Sequence, residues 1–500
     1  MNWNPTWICP ANDLGDPAAV FGTSFVFEKK ITHANLTITA MGVYEAKLNG
    51  RRVGQFVMAP GWTSYHKRLQ YQEYDITDLL TNGKNEIEVT VGKGWYRSPL
   101  PGWLGCAYQD ELRSRPCGLA AQITLTFEDG SSKILSTNES WKVSDGPVRF
   151  SEIYDGEIYD AAKTPSLDQS VSIFDGPTDT LILQQGEEVC EQERLAVKKV
   201  FVTPNGETVL DFGQNMTGYV ELFVNAKAGD CVDLSFAEVM DKEGNFYTEN
   251  YRSAKAQYHY ICKDGVQTWH PSLTFYGFRY IRINDFPGGI GCVKPENFTA
   301  IAVHSNMKRT GFLSSSNTLL NQLFSNIIWG QKGNFLDVPT DCPQRDERLG
   351  WTGDAQVFVR TACLNYDAEK FFTKWLADLA SDQHDDGYVG HVIPDLLQNP
   401  QASSAWGDAA AICPWQVYLA FGNKQILKNQ YQSMKKWIDY ITSTTTTKYL
   451  WTGGTHYGDW LGLDAPSGSY KGSSNEDFIA SAFYAYSTSL VIQAGTVLGE

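Results

Sequence analysis

Residues 337–354 read DVPTDCPQRDERLGWTGD, and the interpretation of the whole chain depends on this stretch. It carries five carboxylates, two arginines and one tryptophan in eighteen residues. Two prolines and two glycines prevent a continuous helix, so the sequence predicts a stiffened loop between two helical segments. The simplest interpretation is a solvated loop whose acids cap helices. That interpretation gives no reason for the prolines or for the large aromatic side chain beside the acids.

The residue types of this loop also suit the hydrolysis of a glycosidic bond. That reaction needs one protonated carboxylic acid to donate to the leaving oxygen, and a second carboxylate on the opposite side. An acid stays protonated at neutral pH when nearby carboxylates and an apolar wall raise its pKa to ~6–7. Asp341, Asp354 and Trp351 could provide these surroundings for Glu347. Arg345 would have the opposite effect on an acid, but its N–H groups suit sugar hydroxyls.

On both sides of the loop the apolar residues recur at helical spacing. The pattern predicts helices over 316–329, from Asp367 onward, over 409–422 and over 424–442. A last helix runs from Asn475 to Glu500 with no stop signal. We therefore expect the chain to stop inside a helical domain.

The earlier part of the chain shows the pattern of short antiparallel strands. Alternating runs are separated by turn signals, of which Asn49-Gly50 is the strongest because both residues accept positive φ in a type I′ turn. The pattern predicts two β-sandwiches followed by helices. The expected segments are an N-terminal segment at 1–30 that could pair with the second sandwich, a first sandwich at 31–200, a second at 201–306 and the helical part at 307–500.

Composition narrows the classes of partner. The net charge of −16 excludes a nucleic-acid-binding surface and does not suggest an anionic membrane. No apolar stretch approaches the ~20 residues that cross a bilayer, and the N-terminus resembles no secretory signal. The ten cysteines form no close pair, so we expect them to be reduced. These features predict a cytoplasmic protein, for which a homodimer is one open oligomeric state.

Residues 341–354 closely resemble the signature of bacterial α-L-rhamnosidases of the six-hairpin type. Other segments resemble the same family in the correct order along nearly the whole chain: 42–45, 49–50, 60–62 and 71–79 its N-terminal sandwich, and 211–215 and 278–280 its lectin-like sandwich. The resemblance implies two antiparallel β-sandwiches followed by an (α/α)6 six-hairpin barrel. The helices up to Glu500 amount to about half of such a barrel, so the barrel is expected to be incomplete here.

The resemblance also implies roles for single residues. Glu347 resembles the general acid, and Asp346 is its rival, for which we prefer a supporting role. The residues that resemble the rhamnose-binding set are Asp341, Arg345, Trp351 and Asp354, together with the aromatic walls Trp406 and Trp460. An aromatic wall favours the C6 methyl group of rhamnose by ~0.8 kcal/mol per carbon. We expect no cofactor and no metal, because inverting hydrolysis needs none; a metal at His384 and His391 is the less favoured alternative to ordinary surface histidines.

The expected activity is removal of terminal, non-reducing α-L-rhamnose from plant-type rhamnosides by inversion. The family supplies its general base, a glutamate, and a histidine from the later half of the barrel, so we expect both beyond Glu500 and little hydrolysis from residues 1–500 alone. The acid and base should lie ~6.5–9.5 Å apart to admit water. Two alternatives stay open: a six-hairpin glycosidase for another sugar, and a non-catalytic carbohydrate-binding protein.

Overall fold

The computed structural model describes residues 3–103, 111, 114–399 and 401–500. Two β-sheet domains precede a helical domain, as the sequence predicts. Strands and helices are numbered in chain order. The first sheet contains β1 (Trp7–Pro10), β2 (Ala19–Phe27), β3 (Ile31–Met41), β4 (Val43–Leu48), β5 (Arg51–Arg52), β6 (Leu69–Asp75), β7 (Gly83–Gly92), β8 (Gly118–Phe127), β9 (Ser132–Ser136), β10 (Lys142–Asp145), β13 (Gln169–Phe174) and β14 (Leu181–Leu183). The second contains β11 (Val148–Glu152), β12 (Gly156–Asp160), β15 (Val189–Ala196), β16 (Lys199–Val202), β17 (Thr208–Ala226), β18 (Cys231–Ala237), β19 (Gln257–Ile261), β20 (Gly265–Trp269), β21 (Tyr276–Asp285) and β22 (Phe298–Ser305).

The helical domain contains the loop that the sequence singles out. Its elements are α2 (Thr318–Asn334), the short strands β23 (Phe335–Leu336) and β24 (Val338–Pro339), α3 (Thr352–Asn365), α4 (Glu369–Asp382), α5 (Ala409–Phe421), α6 (Lys424–Thr444) and α7 (Glu476–Leu498); the one-turn helix α1 (Gly94–Arg97) belongs to the first β domain. Among the described residues, no helix has both the length and the apolar character needed to span a bilayer.

The first sheet follows its alternating pattern closely. Leu36, Ile38 and Val89 are fully buried between its layers. Asn49 and Gly50 have φ values of 53° and 74° and connect β4 to β5, so the predicted type of turn, which needs positive φ at both residues, is present. This turn sets the register between β4 and β5, in which Leu48 lies opposite Arg51.

The expectation that residues 1–30 could pair with the second sandwich is wrong. β1 pairs with β8 and β13, and β2 pairs with β7 and β10, all within the first sheet. Conversely, β11, β12 and β15 lie within residues 31–200, which the sequence assigns to the first sandwich, yet they belong to the second sheet, and β16 crosses the predicted boundary at residue 200. Alternation predicts that a strand exists but not its partner, because pairing is decided by contacts distant in sequence.

One of these exchanged strands depends on a glycine. β12 runs parallel to β19 with Gly156 opposite Gln257, and Gly156 has a φ of 93°. A Cβ atom at Gly156 would lie 2.0 Å from the carbonyl oxygen of Gln257. Only glycine allows the two backbones to approach so closely at that φ.

Most predicted helices are confirmed, with one addition. The helices expected at 316–329, 409–422 and 424–442 correspond to α2, α5 and α6. The helix expected from Asp367 is α4, although Ala368 rather than Asp367 precedes its first turn. The sequence analysis does not predict α3. Its first turn contains Gly353, and its apolar residues form only a weak stripe, so the sequence pattern does not indicate a helix there.

A buried charge cluster joins the helical domain to the first β domain. Lys374 of α4, whose side chain is 1% exposed, lies 2.9 Å from Oδ2 of Asp337 and also contacts the carbonyl oxygen of Trp62. Asp378 of α4 pairs with Arg68 at 3.0 Å, and burial raises the pKa of Asp378 to about 7. The contact with Lys374 holds Asp337, the first residue of the acidic loop, in place.

Candidate functional site

Within the acidic loop (residues 337–354), two hydrogen bonds between Asp341 and Leu349 close the central part of the loop. The N–H of Asp341 donates to the carbonyl oxygen of Leu349 at 3.0 Å, and the N–H of Leu349 donates to Oδ1 of Asp341 at 3.0 Å. Leu349 is fully buried, so the apolar side chain holds this closure in the protein interior. The acids between the two residues are therefore held in one conformation rather than dispersed in solvent.

Arg348 ties the closed loop to the second β domain. Its guanidinium donates to the carbonyl oxygens of Ile153 at 2.7 Å and Phe275 at 2.9 Å, and also to those of Gln344 and Arg345 within the loop. Burial lowers the pKa of Arg348, whose residue is only 1% exposed. The sequence analysis gives this residue no role, yet its side chain makes the contacts that set the loop's position.

Arg345 brings the two central carboxylates together. Its Nη2 lies 3.2 Å from Oδ2 of Asp341 and its Nε lies 3.0 Å from Oε2 of Glu347. The indole N–H of Trp351 donates to the other Glu347 oxygen, Oε1, at 3.0 Å. Four predicted site residues thus form one contact cluster, and the solvated-loop interpretation is wrong.

Asp341 and Asp354 have altered acid–base properties. Burial raises the pKa of Asp341 to about 6, and the nearby charge of Glu347 acts in the same direction. Burial also raises the pKa of Asp354, with a further contribution from Glu347. Asp354 itself is solvent-exposed and lines an adjoining cavity, so its burial is only partial.

A cavity of about 820 Å³ lies beside the cluster, between α2, α3, α7 and residues 458–474. The predicted residues in its wall are Asp341, Asp354, Trp406 and Trp460. Trp406 is 8% exposed and Trp460 is 40% exposed, so one ring is packed into the wall and the other faces the opening. Glu347, Arg345 and Trp351 are not part of this wall and connect to it through Asp341.

Tyr457 holds the tryptophans around the cavity, and the sequence analysis does not select it. Its ring centroid lies 4.3 Å from that of Trp406, 5.2 Å from that of Trp460 and 6.3 Å from that of Trp351. Its hydroxyl lies 3.1 Å from Nδ1 of His391. The signal was present in the sequence, because Tyr457 stands three residues before the selected Trp460 in the segment YGDW.

Two residues of the second β domain also reach the acidic loop. Nη1 of Arg252 lies 3.1 Å from Oε2 of Glu347 and 3.6 Å from Oδ1 of Asp346. Ser253 donates to Oδ2 of Asp346 at 2.6 Å. Asp346 therefore binds groups of the neighbouring domain and lies outside the cavity wall, which suits the supporting role expected for it. No local signal identifies Arg252, because it is 95 residues away from Glu347 along the chain.

The loop also contains three groups of the kind that bind metals. One ligand-type atom each from Asp341, Cys342 and Glu347 lies within 4.8 Å of the others. The guanidinium of Arg345 contacts both carboxylates and already supplies positive charge between them.

His391 is one of the two histidines considered as metal ligands in the sequence analysis. Burial lowers the pKa of His391 to about 4, and its Nδ1 accepts from Asn399 at 2.8 Å, so its ring is held by the protein.

Substitution of Asp341 by asparagine is expected to flatten the dependence of stability on pH between about 4 and 6. The folded protein keeps a proton on Asp341 up to a pKa of about 6, whereas the unfolded chain loses it near 3.8, so stability falls as the pH rises through this window. The difference corresponds to at most about 3 kcal/mol. Melting temperatures at pH 4, 5, 6 and 7 measure it, with the exposed Asp175→Asn as control. Parallel curves for wild type and Asp341→Asn would contradict the assignment.

Three family models match consecutive parts of the chain. The alpha-L-rhamnosidase N-terminal domain matches residues 29–197, and the bacterial alpha-L-rhamnosidase concanavalin-like domain matches residues 201–304. The bacterial alpha-L-rhamnosidase 6 hairpin glycosidase domain matches residues 308–500. The three matches follow the order of the two β-sheet domains and the helical domain.

Whole-chain comparisons agree. An alpha-L-rhamnosidase of Formosa agariphila is 38% identical over 490 residues, which are 95% of this chain and 52% of that protein. The crystal structure of an α-L-rhamnosidase from Aspergillus terreus superposes with a TM-score of 0.93 at 37% identity and covers 99% of this chain and 59% of that one. The Streptomyces avermitilis α-L-rhamnosidase complexed with L-rhamnose gives a TM-score of 0.90 at 36% identity, covering 97% and 47%. The chain spans about half the length of the curated relatives it matches. In sequence, domain order and fold, the chain belongs to the bacterial α-L-rhamnosidase family.

Proposed function

We propose that the protein hydrolyses terminal, non-reducing α-L-rhamnosides of the plant type with inversion at the anomeric carbon. One observation carries the proposal: the acidic loop turns inward, so that Asp341 and Glu347 share Arg345 beside a cavity with aromatic walls. A relative of this fold has been crystallised with L-rhamnose.

Glu347 is the proposed general acid. It donates its proton to the glycosidic oxygen while the bond from that oxygen to the anomeric carbon breaks, and the bonding electrons go to the oxygen. A water molecule attacks the opposite face of the sugar and loses its proton to a base, which we do not assign to a residue of this chain. The hydrogen bond from Trp351 fixes the direction of the Glu347 carboxyl group.

The cavity wall is proposed to bind the rhamnose ring. The oxygens of Asp341 and Asp354 accept hydrogen bonds from ring hydroxyls, and their charge steadies the positive charge that develops at the anomeric carbon. The rings of Trp406 and Trp460 pack against the C6 methyl group and the apolar face of the sugar. The cavity volume of about 820 Å³ leaves room for one sugar ring and part of the group linked to it.

A panel of nitrophenyl glycosides tests the proposal on the full polypeptide that the gene encodes. We expect the α-L-rhamnoside to be preferred by at least about 100-fold, since a misfit at one sugar hydroxyl leaves buried polar groups unpaired. Proton NMR during the first minutes should show β-L-rhamnose as the initial product. Preference for another glycoside would identify a different glycosidase, and sugar binding without turnover would identify a carbohydrate-binding protein; both outcomes reject the proposal. The cytoplasmic location and the homodimeric state remain predictions from the sequence.

A further inference from the structure

We propose that Arg252 of the second β domain selects substrates whose leaving group carries hydroxyl or carboxylate oxygens. This inference rests on the function proposed above and adds the chemistry of the group that rhamnose leaves behind. The shared chemistry is an oxygen acceptor, which either a neutral sugar or a uronic acid supplies.

The backbone holds Arg252 firmly at the edge of the site. It follows a short turn at Glu249–Tyr251 and has a φ of 56°, which is unfavourable for a residue with a side chain. On one side Tyr251 is 2% exposed and its hydroxyl donates to the carbonyl oxygen of Gly277. On the other side Ser253 donates to Asp346. Strain of this kind persists only where neighbouring contacts over-determine the conformation.

The Arg252 guanidinium has donors to spare. A guanidinium has five N–H groups. In Arg252 only Nη1 contacts carboxylates, at 3.1 Å from Glu347 and 3.6 Å from Asp346. The other N–H groups have no partner in the part of the chain that the structure describes, and the side chain is 46% exposed. The other two arginines of the site are more enclosed: the Arg345 side chain is 34% exposed and the Arg348 residue 1%. Arg252 therefore presents unused donors to solvent beside the proposed acid.

The position of these donors identifies the part of the substrate they would meet. The glycosidic oxygen must come within hydrogen-bond reach of Glu347 to receive its proton. The rhamnose ring on one side of that oxygen fits the cavity whose wall contains Asp341, Asp354 and Trp406, and Arg252 is not in that wall. Unlike Arg345 and Trp351, Arg252 reaches Glu347 from the neighbouring domain and with an exposed side chain, so its free donors face the group on the other side of the oxygen, which is the leaving group.

The chemistry of a guanidinium then sets the preference. Its planar N–H groups donate to hydroxyl oxygens and pair with a carboxylate through two parallel bonds. A nitrophenyl leaving group has no hydroxyl or carboxylate and offers only the weakly accepting oxygens of its nitro group. Among the described residues, Arg345, Asp341 and Asp354 also interact with Glu347, but Arg345 is engaged with the two loop carboxylates and the two aspartates offer acceptors rather than donors.

Kinetics of Arg252→Met with three substrates test the inference: nitrophenyl α-L-rhamnoside, a rhamnosyl–glucose disaccharide and a rhamnosyl–uronic acid disaccharide. We expect kcat/KM for at least one disaccharide to fall about tenfold relative to the aryl substrate, with Arg252→Lys recovering part of the loss for the uronate. Arg194→Met is the matched control, because the Arg194 side chain is 47% exposed and also contacts two carboxylates of the same domain.

Each kinetic outcome either supports or overturns the proposed role of Arg252. Loss confined to the neutral disaccharide supports hydroxyl recognition, and loss confined to the uronate supports carboxylate recognition. Equal loss on all three substrates means that Arg252 only positions Glu347, and no loss means that it contacts nothing in the substrate; either result overturns the inference. If the wild-type enzyme turns over none of the rhamnosides, the proposed function itself fails and takes this inference with it.

Discussion

Glu347→Gln should lower kcat for rhamnoside hydrolysis by about 10³-fold or more while rhamnose binding stays within a few-fold of wild type, because an amide has no proton to donate to the leaving oxygen. Glutamine keeps the shape of the side chain, and its Oε1 can still accept from the indole N–H of Trp351, although its NH2 group replaces the oxygen that faces Arg345 and Arg252. The cavity-wall side chains that we propose to bind rhamnose are separate from Glu347 and remain in place. Turnover measured with the nitrophenyl rhamnoside, and affinity for rhamnose measured by calorimetry, separate the two effects.

Asp346→Asn is the control that distinguishes the two adjacent acids. Asp346 receives a hydrogen bond from Ser253 and lies outside the cavity wall, so its loss should reduce kcat by less than about tenfold through a shift of the loop. A substrate with a dinitrophenyl leaving group needs little protonation and should recover most of the activity of Glu347→Gln. Unchanged turnover in Glu347→Gln, or a greater loss in Asp346→Asn, would assign the acid to a different residue.

The part of the site that the sequence predicts is the part held together by neighbours in sequence. Asp341, Arg345, Glu347 and Trp351 stand within eleven residues, and the short reach from Arg345 to both acids follows from that spacing. Prolines and a buried Leu349 limit the loop to few conformations. Sequence spacing therefore keeps these side chains close together, and the family resemblance, rather than composition, supplied the prediction that they form one site.

The residues that sequence reasoning missed come from elsewhere in the chain. Arg252 reaches Glu347 only because the second β domain packs against the loop, and Tyr457 meets Trp406 only because two connecting segments of the helical domain pack together. The same limit explains the sheets. The choice of β13 as the partner of β1, and of β19 as the partner of β12, is decided between segments about 100 or more residues apart. Periodicity carries no information about such pairings.

Arg348 makes both local contacts within the loop and distant contacts to the second β domain. Arg348→Met is expected to lower the free energy of unfolding by about 4 kcal/mol. The substitution leaves four carbonyl oxygens without their donor, two in the loop and those of Ile153 and Phe275 in the second β domain. A net contribution of about 1 kcal/mol for each hydrogen bond, at a site that excludes water, gives this total. Methionine keeps an apolar stem but also removes the guanidinium that lies over the rings of Tyr154 and Phe275, so the loss comes from the hydrogen bonds together with these cation–π contacts.

Arg348→Lys tests whether the fork of the guanidinium, rather than its charge, holds the loop. One ammonium group cannot reach carbonyl oxygens of both the loop and the β domain, so lysine should recover only about half of the lost stability. Urea unfolding measures the stability of both variants, with the half-exposed Arg194→Met expected within about 0.5 kcal/mol of wild type. The indole N–H signal of Trp351 should broaden or move in Arg348→Met, since this N–H donates to Glu347 in the same loop, whereas that of Trp437, which donates to Asp408, should not. Full stability in Arg348→Lys would show that charge alone is enough, and the loop that presents the proposed acid would then be held by contacts other than the four carbonyl oxygens.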